Sequence, residues 1–599
     1  MTTTTGTVTL TNDLWEVEIA PALNGRVVRL ADRRTGLVCV QAPEGAKPAA
    51  FFGLEVWAKG GETKDPSTGV LSAFASIHRA PADAEVRPDG VTLTTHKNGL
   101  ALTLEWSLPA GEAPLRCKAT LVNESAPAGN FQFEGFFLWH RPKEARRGSA
   151  LLVPGLAPFT PAPYLEVRYG GGDGSAPCAA WWQVGGQAGV ALRAGAGVER
   201  FFYGLEGHRF VLGPHSRRAQ LQPGDSLAAE FEIAPLTHAR ARGWPLDIPA
   251  EEEALAQADA RREARARGLG SLQEWATAPE PFFERRAMHL IRTPAGVNEA
   301  IRSLERIAPA GFNMLFMEIG DAYPYRSHPE VTPEWAWSRA QWEEYLNAAR
   351  SLGIEPIPLI NSLGHQTETG LGLAHPEMRE DPDGWCLCPQ HPDTLRCLCE
   401  MIDELIDLFQ PRAFHVGLDE ADMPGRPQTF CVCPKCRDAD GGELFANHIL
   451  GLHEHITGQG LEMLMWPDML LWEPRQNQIN GLRTGTWRAI DRLPRDIILV
   501  DWIYGVVKEY VGTRYFLDHG FRVMGATWNE PLAVADYARF AADHQMYGMC
   551  ATTWAGMLLP NWPLDCLLLG GKYFQDPYYP DFARAAEEAK TLAYVMAEE

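Results

Sequence analysis

The chain has little positive charge. Its 599 residues include 54 Lys and Arg against 76 Asp and Glu, which gives a formal net charge of −22. A protein that binds nucleic acid needs a basic patch to neutralise phosphates, and no basic run here supplies one. The Arg-rich stretch 261–267 is mixed with Ala and Glu, as is typical of a solvated helix face. Because an acidic surface also disfavours anionic membranes, the expected partners are neutral or cationic small molecules.

Long apolar runs and dense cysteine are also missing. The chain has no uninterrupted apolar run of about 18 residues, the length that a membrane-spanning helix needs. Its first residues lack the basic and apolar segments of a secretory signal peptide. The 12 cysteines are too few for a disulfide scaffold in so long a chain. The sequence therefore predicts a cytoplasmic protein without a membrane span; whether it forms a homodimer is left open.

Apolar and aromatic residues, in contrast, are abundant. Hydrophobic residues make up 45% of the chain, and 19 of its residues are Trp. A composition of this kind can bury large cores, which excludes wholesale disorder. The flat apolar face of Trp also matches the C–H face of a pyranose ring, although most Trp residues are expected to serve in packing.

The first part of the chain, residues 1–245, is predicted to be an all-β sandwich domain. Short alternating runs such as Leu14–Ile19 and Ala101–Trp106 recur between clusters of Gly, Pro, Asn and Asp. The opening residues 10–36 resemble the start of galactose-mutarotase-like β-supersandwich domains. Residues 246–280 are predicted to be a helical linker, because the stretch 249–268 is rich in Ala, Glu and Arg.

Residues 281–599 are predicted to form a (β/α)8 TIM-barrel catalytic domain. Apolar β runs alternate there with helical patterns such as Asp393–Phe409, and continuous apolar runs are typical of strands covered on both faces. A doubly wound open sheet is the alternative, but no Gly-rich dinucleotide fingerprint follows the first strand. The eight predicted strands are Ala287–Ile291, Asn313–Ile319, Ile354–Ile360, Ala413–Leu418, Glu462–Trp466, Asp496–Trp502, Arg522–Trp528 and Met549–Trp554.

Two adjacent carboxylic residues end the fourth predicted strand. The run FHVGLDEAD places Asp419 and Glu420 where a barrel strand reaches its C-terminal end, which is where TIM barrels carry catalytic groups. Neighbouring residues of a strand face opposite sides, so both carboxylates can serve one pocket only where the strand ends and bends. A carboxyl group in an apolar pocket has a raised pKa and can donate a proton, while a hydrogen-bonded neighbour stays ionised. This pairing suits the cleavage of a glycosidic bond.

The pattern His-x-Gly-x-Asp-Glu, which begins at His415, resembles the signature of glycoside hydrolase family 20, the β-N-acetylhexosaminidases. The likeness extends over roughly the barrel half. The sequence departs from the family pattern at Leu418, where a second Gly is usual, and at Glu318, where a His is usual. Leu359 and Asn361 also occupy positions of the third strand that are usually acidic. These departures leave the carboxylate pair intact and bear on the identity of the sugar.

The resemblance implies a role for each matching residue. Glu420 would be the general acid and base, and Asp419 would stabilise the acetamido group of the substrate. His415 would act indirectly, by orienting its neighbours. Arg285 aligns best with an arginine that grips sugar hydroxyls, and its neighbour Arg286 is the other option. The further residues expected to contact the sugar are Asp321, Arg326, His365, His415, Trp466, Tyr504, Trp528 and Trp554.

The implied activity is that of a retaining exo-glycoside hydrolase that removes terminal β-N-acetylhexosamine by substrate-assisted catalysis. This chemistry requires no cofactor. The first alternative is a family-20-like barrel that acts on a different or modified sugar. The second is a sugar-binding homologue that has lost activity, against which the retained acidic residues argue. A mutarotase activity of the N-terminal domain would need a Glu and His pair that the sequence does not reveal.

The cysteines concentrate in two stretches of the barrel half. Cys431, Cys433 and Cys436 follow the fourth predicted strand at Cys-x-Cys-x-x-Cys spacing, which allows three thiolates to share one tetrahedral zinc ion. A fourth ligand would come from Cys386, Cys388 or His391. A structural zinc is one hypothesis, and free thiols in long loops are the other.

Overall fold

The fold is described from a computed structural model of the chain, which divides into two compact units, residues 1–264 and 265–597. The structure describes residues 7–598 without 24, 42–53, 63–81, 98, 127, 141–148, 153–168, 171–177, 184–188, 207–208, 218, 247–263, 334, 367–369, 381–385, 422–430, 432, 473–480, 483 and 560–561. Most of the helix predicted over 249–268 lies outside the described residues. Among the described helices, none combines the length and apolar character needed to cross a membrane.

The first unit consists of two antiparallel sheets. One sheet joins β1–β5, β10, β12 and β15–β17, and the other joins β6–β9, β11, β13, β14 and β18. The strands are β1 Val8–Thr11, β2 Trp15–Ala20, β3 Arg26–Asp32, β4 Val38–Gln41, β5 Leu54–Glu62, β6 Asp83–Arg87, β7 Gly90–Lys97, β8 Leu100–Ser107, β9 Leu115–Asn123, β10 Gly129–His140, β11 Ser149–Leu152, β12 Tyr169–Gly170, β13 Cys178–Gln183, β14 Gly189–Ala194, β15 Val198–Glu206, β16 Arg209–Ser216, β17 Ala219–Leu221 and β18 Ser226–Pro235.

The core of this unit lies between the two sheets. Buried side chains of both sheets form a single hydrophobic cluster, to which Val17 of β2 contributes from one side and Leu104 of β8 from the other. Buried and exposed residues alternate along β9, as expected when one face of a strand packs on a core. This arrangement confirms the predicted all-β sandwich.

The second unit is built on a closed barrel of eight parallel strands, each paired with its neighbours in chain order. The predicted TIM barrel is confirmed, and the open doubly wound sheet is wrong. The interior is filled by side chains such as Phe316, Leu464 and Val500. The strands are β19 Arg286–Ile291, β20 Met314–Glu318, β21 Glu355–Leu359, β22 Ala413–His415, β23 Glu462–Met465, β24 Ile498–Trp502, β25 Arg522–Thr527 and β26 Gly548–Thr552.

Helices follow the strands and cover the outside of the barrel. The predicted helix Asp393–Phe409 is present as Thr394–Phe409, and it buries one face that includes Leu398, Ile402 and Leu405. The α-helices of the described residues are Leu236–Ala241, Leu272–Ala276, Val297–Ile307, Arg339–Ser351, Leu371–Ala374, Thr394–Phe409, Gly441–Thr457, Val511–Asp518, Pro531–Asp543, Leu564–Gln575 and Phe582–Glu598; 3-10 helices include Asp468–Leu470 and Thr486–Arg492.

Candidate active site

One rim of the barrel collects the polar residues of the candidate site. In a closed parallel barrel, all strands end at the same rim, so residues that directly follow different strands lie near one another. Glu318 is the last residue of β20, and Asn361 and His365 follow β21. Asp419 and Glu420 follow β22, and Trp466 and Asp468 follow β23. Tyr504, Trp528 and Trp554 come shortly after the last three strands.

The backbone bends sharply before the two carboxylates. Strand β22 ends at His415, three residues earlier than predicted, because Gly417 and Leu418 have φ angles of +67° and +80°. A Cβ atom on Gly417 would lie 2.1 Å from Oδ1 of Asn361, so only glycine fits there. Glu420 also has a positive φ, +46°. This bend removes the alternation of a strand and lets the neighbouring carboxylates face the same pocket.

One histidine ring nitrogen lies close to both carboxylates. Nε2 of His365 is 3.3 Å from Oδ2 of Asp419 and 3.7 Å from Oε2 of Glu420. Asp419 is buried, whereas the Glu420 side chain keeps 31% of its surface exposed. The structure therefore brings three of the sequence-predicted residues together, with the more buried carboxylate closer to the imidazole.

The electrostatics of these groups differ in the way that acid–base chemistry requires. Burial and the negative charge of Asp419 raise the pKa of Glu420, while the positive charge of His365 opposes the rise. Burial alone would lower the pKa of His365, but Asp419, Glu420 and Glu318 raise it to about 9. His365 is therefore cationic at neutral pH, and Glu420 holds a proton to higher pH than an ordinary glutamic acid.

Asp468 is a fourth acidic residue of the site, and sequence reasoning missed it. It is almost fully buried, and its Oδ2 accepts a hydrogen bond from the backbone N–H of Glu420 at 2.9 Å. Burial and the charges of Asp419 and Glu420 raise its pKa well above the ordinary value. The available signal was its place two residues after Trp466, at the end of a predicted strand.

Aromatic side chains form a wall beside the carboxylates. Nε1 of Trp554 donates to the hydroxyl of Tyr504 at 2.9 Å. The predicted sugar contact Trp466 is fully buried, with its ring centroid 5.8 Å from that of Trp554, so it supports the wall and has no exposed face for a sugar. Tyr504 contacts Trp528 edge to face at 5.5 Å. Burial, and to a smaller extent the negative charge of Asp419, raise the pKa of the half-buried Tyr504 well above its ordinary value.

His415 acts inside the protein rather than on its surface. It is fully buried, and its Nδ1 accepts a hydrogen bond from the backbone N–H of Gly417 at 3.1 Å. Burial and the neighbouring His289 hold its pKa well below the ordinary value, so the ring is neutral and able to accept. Its ring also packs on Trp466, with centroids 4.5 Å apart. His415 thus supports the bend that carries Asp419 and Glu420.

Glu318 is fixed by two partners at the same rim. Its Oε2 lies 3.1 Å from Nε2 of His289, and its Oε1 accepts from Nδ2 of Asn361 at 3.1 Å. The side chain is 15% exposed. The buried His289 in turn packs against Trp554 with a centroid distance of 4.7 Å. Glu318 therefore presents a largely buried and oriented carboxylate next to the aromatic wall.

One predicted sugar contact lies at the other end of the barrel, and a second is largely exposed. Arg285 precedes β19, so it lies at the opposite end of the barrel, where its guanidinium covers the Tyr547 ring at 4.0 Å. The assignment from the family motif was wrong because that motif fixes a chain position and not the end of the strand. Arg326 has a 78% exposed side chain beside Glu404, which accepts from the Arg326 backbone N–H at 2.9 Å.

Asp321 is buried near another arginine that the sequence did not single out. Arg292 follows β19 and is buried against the ring of Trp337, with its Cζ 4.2 Å from the ring centroid. Burial lowers the pKa of Arg292 to about 10, and the charges of Tyr345 and Asp321 oppose that fall. Asp321 therefore lies near enough to the buried Arg292 for its charge to act on the guanidinium.

The comparisons with known proteins agree with this geometry. Residues 242–502 match the model of the glycosyl hydrolase family 20 catalytic domain. Hexosaminidase D of Bos taurus is 28% identical over 226 residues, which cover 36% of this chain and 61% of the relative. Hexosaminidase D of Homo sapiens is 25% identical over 197 residues, which cover 31% of this chain and 40% of the relative. The chain thus spans at most about three fifths of the length of these relatives.

A solved structure also resembles the first unit weakly. A galactose mutarotase-like protein from Lactobacillus casei shares 12% identity at a TM-score of 0.30, covering 38% of this chain and all of that chain. The barrel geometry and the match of the family model point to the same assignment. Residues 242–502 of this chain are therefore similar to the catalytic domain of glycosyl hydrolase family 20.

Proposed function

We propose that the protein is a retaining exo-glycoside hydrolase that releases terminal β-N-acetylhexosamine with the help of the substrate's own acetamido group. The observation that carries this proposal is that Asp419 and Glu420 both lie close to Nε2 of His365, beside an aromatic wall at the barrel rim. The match to the family 20 catalytic domain and the similarity to hexosaminidase D support it.

Glu420 is the proton donor in this proposal. Its raised pKa lets the carboxyl hold a proton to higher pH than an ordinary glutamic acid, and its partial exposure leaves it accessible to the glycosidic oxygen. As the bond between the anomeric carbon and that oxygen breaks, the Glu420 proton passes to the leaving oxygen. The Glu420 carboxylate later takes a proton from the water that attacks the anomeric carbon.

Asp419 stabilises the charge that forms on the sugar. The acetamido oxygen attacks the anomeric carbon and produces a cationic oxazolinium-like ring, so no enzyme carboxylate becomes attached to the sugar. Oδ1 of Asp419 is buried and has no hydrogen-bond partner among the described residues, while Oδ2 faces His365. The free oxygen suits the acetamido N–H, whose acidity grows as the ring closes.

The aromatic wall binds the sugar itself. Trp554 and Tyr504 are joined by a hydrogen bond and lie beside Trp528, and these half-buried rings provide flat apolar surfaces for a pyranose. Glu318 is held by His289 and Asn361 and supplies an acceptor for hydroxyl groups. Because this carboxylate stands where a histidine is usual in the family, it favours the alternative of a modified or unusually hydroxylated sugar.

A series of fluorinated substrates tests the participation of the acetamido group. Aryl 2-acetamido-β-glycosides in which the acetyl methyl carries one, two or three fluorines have progressively less nucleophilic amide oxygens. If that oxygen attacks the anomeric carbon, kcat/KM falls steeply along the series. A thiazoline mimic of the cyclised intermediate should also inhibit more tightly than the product sugar, because it resembles the transition state.

The control is the same substrate series with the Asp419→Asn variant. In that variant kcat/KM should be lower, and it should change less with the number of fluorines. A flat series for the unsubstituted protein, with measurable turnover, would contradict acetamido participation. Faster turnover of plain glucosides or galactosides than of 2-acetamido glycosides would favour the alternative substrate.

A further inference from the structure

Four cysteine thiols converge outside the carbohydrate site. Sγ of Cys388 lies 3.4 Å from Sγ of Cys433 and 3.6 Å from Sγ of Cys436. Together with Cys431, the sulfur atoms all lie within 4.8 Å of one another. Cys388, Cys431 and Cys436 are buried, and Cys433 is half-buried. The sequence suggested three of these residues and left the fourth open among Cys386, Cys388 and His391; the geometry selects Cys388.

The four residues come from two successive loops of the barrel. Cys388 lies in the segment between β21 and helix Thr394–Phe409, where its backbone N–H donates to Met378 at 2.8 Å. Cys431, Cys433 and Cys436 lie between β22 and helix Gly441–Thr457. The backbone N–H of Cys436 donates to the Cys433 carbonyl at 3.0 Å, which closes a tight turn that aims both sulfur atoms to one side.

The spacing of the sulfur atoms fits a shared metal ion. A tetrahedral zinc with Zn–S bonds of about 2.3 Å holds its sulfur ligands roughly 3.8 Å apart. A disulfide would need a separation of about 2.05 Å. Four thiolates fill a tetrahedral site completely, which is the pattern of a structural zinc site without an open position for substrate. Soft sulfur ligands in this geometry favour zinc over the hard cations magnesium and calcium.

We propose that Cys388, Cys431, Cys433 and Cys436 bind one structural zinc ion. Cys388 lies in the loop that follows His365, and the other three ligands lie in the loop that follows Glu420. The ion therefore adds a link between these two loops, which also approach each other where His365 lies against Asp419. The proposal does not depend on the sugar that the protein cleaves.

The test is metal analysis of the full-length protein, purified without chelators or a metal-affinity step and dialysed against metal-free buffer. Elemental mass spectrometry should find about one zinc ion per chain. Cys388→Ser and Cys433→Ser should each lose most of the bound zinc and melt at a lower temperature. Cys399→Ser is the matched control, because Cys399 is a half-buried cysteine outside the group; it should keep the zinc.

Cobalt substitution provides a readout that does not require the variants to fold well. Cobalt bound by four thiolates gives intense sulfur-to-metal charge-transfer bands and the visible bands of tetrahedral coordination. The proposal is overturned if the unsubstituted protein contains no zinc and develops no such bands when cobalt is added after reduction. It is equally overturned if Cys388→Ser folds and retains the full zinc content, or if mass spectrometry finds these cysteines joined in disulfides.

Discussion

Glu420 combines a left-handed backbone conformation with a carboxyl group whose pKa is raised by burial and by Asp419. We expect Glu420→Gln to lower kcat by about 10²- to 10⁴-fold on substrates with poor leaving groups, because the amide cannot donate the proton. On aryl glycosides whose leaving group needs no proton, the loss in the bond-breaking step should be much smaller. Kinetics on both substrate types, with circular dichroism to check the fold, measures this difference.

The contrast between leaving groups is what identifies a general acid. An equal loss on both substrate types would assign Glu420 to binding or to structure instead. Asp419→Asn serves as the comparison, since loss of charge stabilisation should slow both substrate types alike.

Asp468 illustrates how a buried carboxyl can serve in its neutral form. Burial and two neighbouring charges raise its pKa well above the ordinary value, which favours the neutral carboxyl, and Oδ2 accepts a hydrogen bond from the Glu420 N–H. Asp468→Asn preserves an acceptor oxygen and should therefore keep stability and kcat near those of the unsubstituted protein. Asp468→Ala leaves that N–H unsatisfied and should cost about 1–3 kcal/mol of unfolding free energy.

Thermal melting and kcat of the two Asp468 variants form an internal control, since they differ mainly in that acceptor. If Asp468→Asn were as damaging as Asp468→Ala, Asp468 would have to act as an ionised group.

His365 makes stability depend on pH. Its pKa in the folded protein is about 9 against an ordinary value of 6.5, so the folded state binds the extra proton more tightly. The stabilisation is complete below pH 6.5 and is lost as pH rises to about 9; the difference is worth roughly 3 kcal/mol. Melting temperature should therefore fall across this window, and His365→Asn should flatten the fall.

His96→Asn is the matched control, because His96 is an exposed histidine of the first unit. An undiminished pH dependence in His365→Asn would show that other groups control stability in this window.

At the scale of elements, the turn after β22 both ends the strand and positions Asp419 and Glu420. Gly417→Ala combines a positive φ with a Cβ placed 2.1 Å from Asn361, whereas Gly353→Ala meets a positive φ with nothing within 4 Å. Both variants carry backbone strain of about 1–2 kcal/mol, but only the first displaces the bend that carries Asp419 and Glu420. We expect Gly417→Ala to lose substantially more stability and also kcat, measured by melting and by initial rates.

Similar losses in the two glycine variants would mean that the close approach of Asn361 is relieved easily and that the bend tolerates displacement.

The strands were predictable and their ends were not. Continuous apolar runs located all eight barrel strands, because a strand covered on both faces must be apolar throughout. The sequence did not indicate the left-handed backbone conformation of Leu418 and Glu420, since neither residue is Gly, Asn or Asp. Arg285 was misplaced for a related reason: its motif fixes the strand but not which rim the side chain reaches. Asp468 escaped notice because a lone aspartate after a strand usually faces solvent.

At the scale of the whole molecule, the net charge of −22 sets a preference among substrates. A sulfated or sialylated glycan is repelled at long range, and added salt screens that repulsion as the Debye length falls from about 30 Å at 0.01 M to 8 Å at 0.15 M. For an anionic substrate, kcat/KM should rise over this range, while a neutral aryl glycoside should show little change. A fall in kcat/KM for the anionic substrate would point to a local cationic subsite.

The proximity of His365 to both Asp419 and Glu420, with Asp468 hydrogen-bonded to the Glu420 backbone, has a consequence for enzymology. Groups this close do not titrate independently, and their apparent ionisation constants belong to the set as a whole. In a plot of rate against pH, the acidic and alkaline limbs should therefore both shift when any one of these residues is replaced. Assigning a limb to one residue requires comparing profiles across the single replacements, with the set treated as one polyprotic acid.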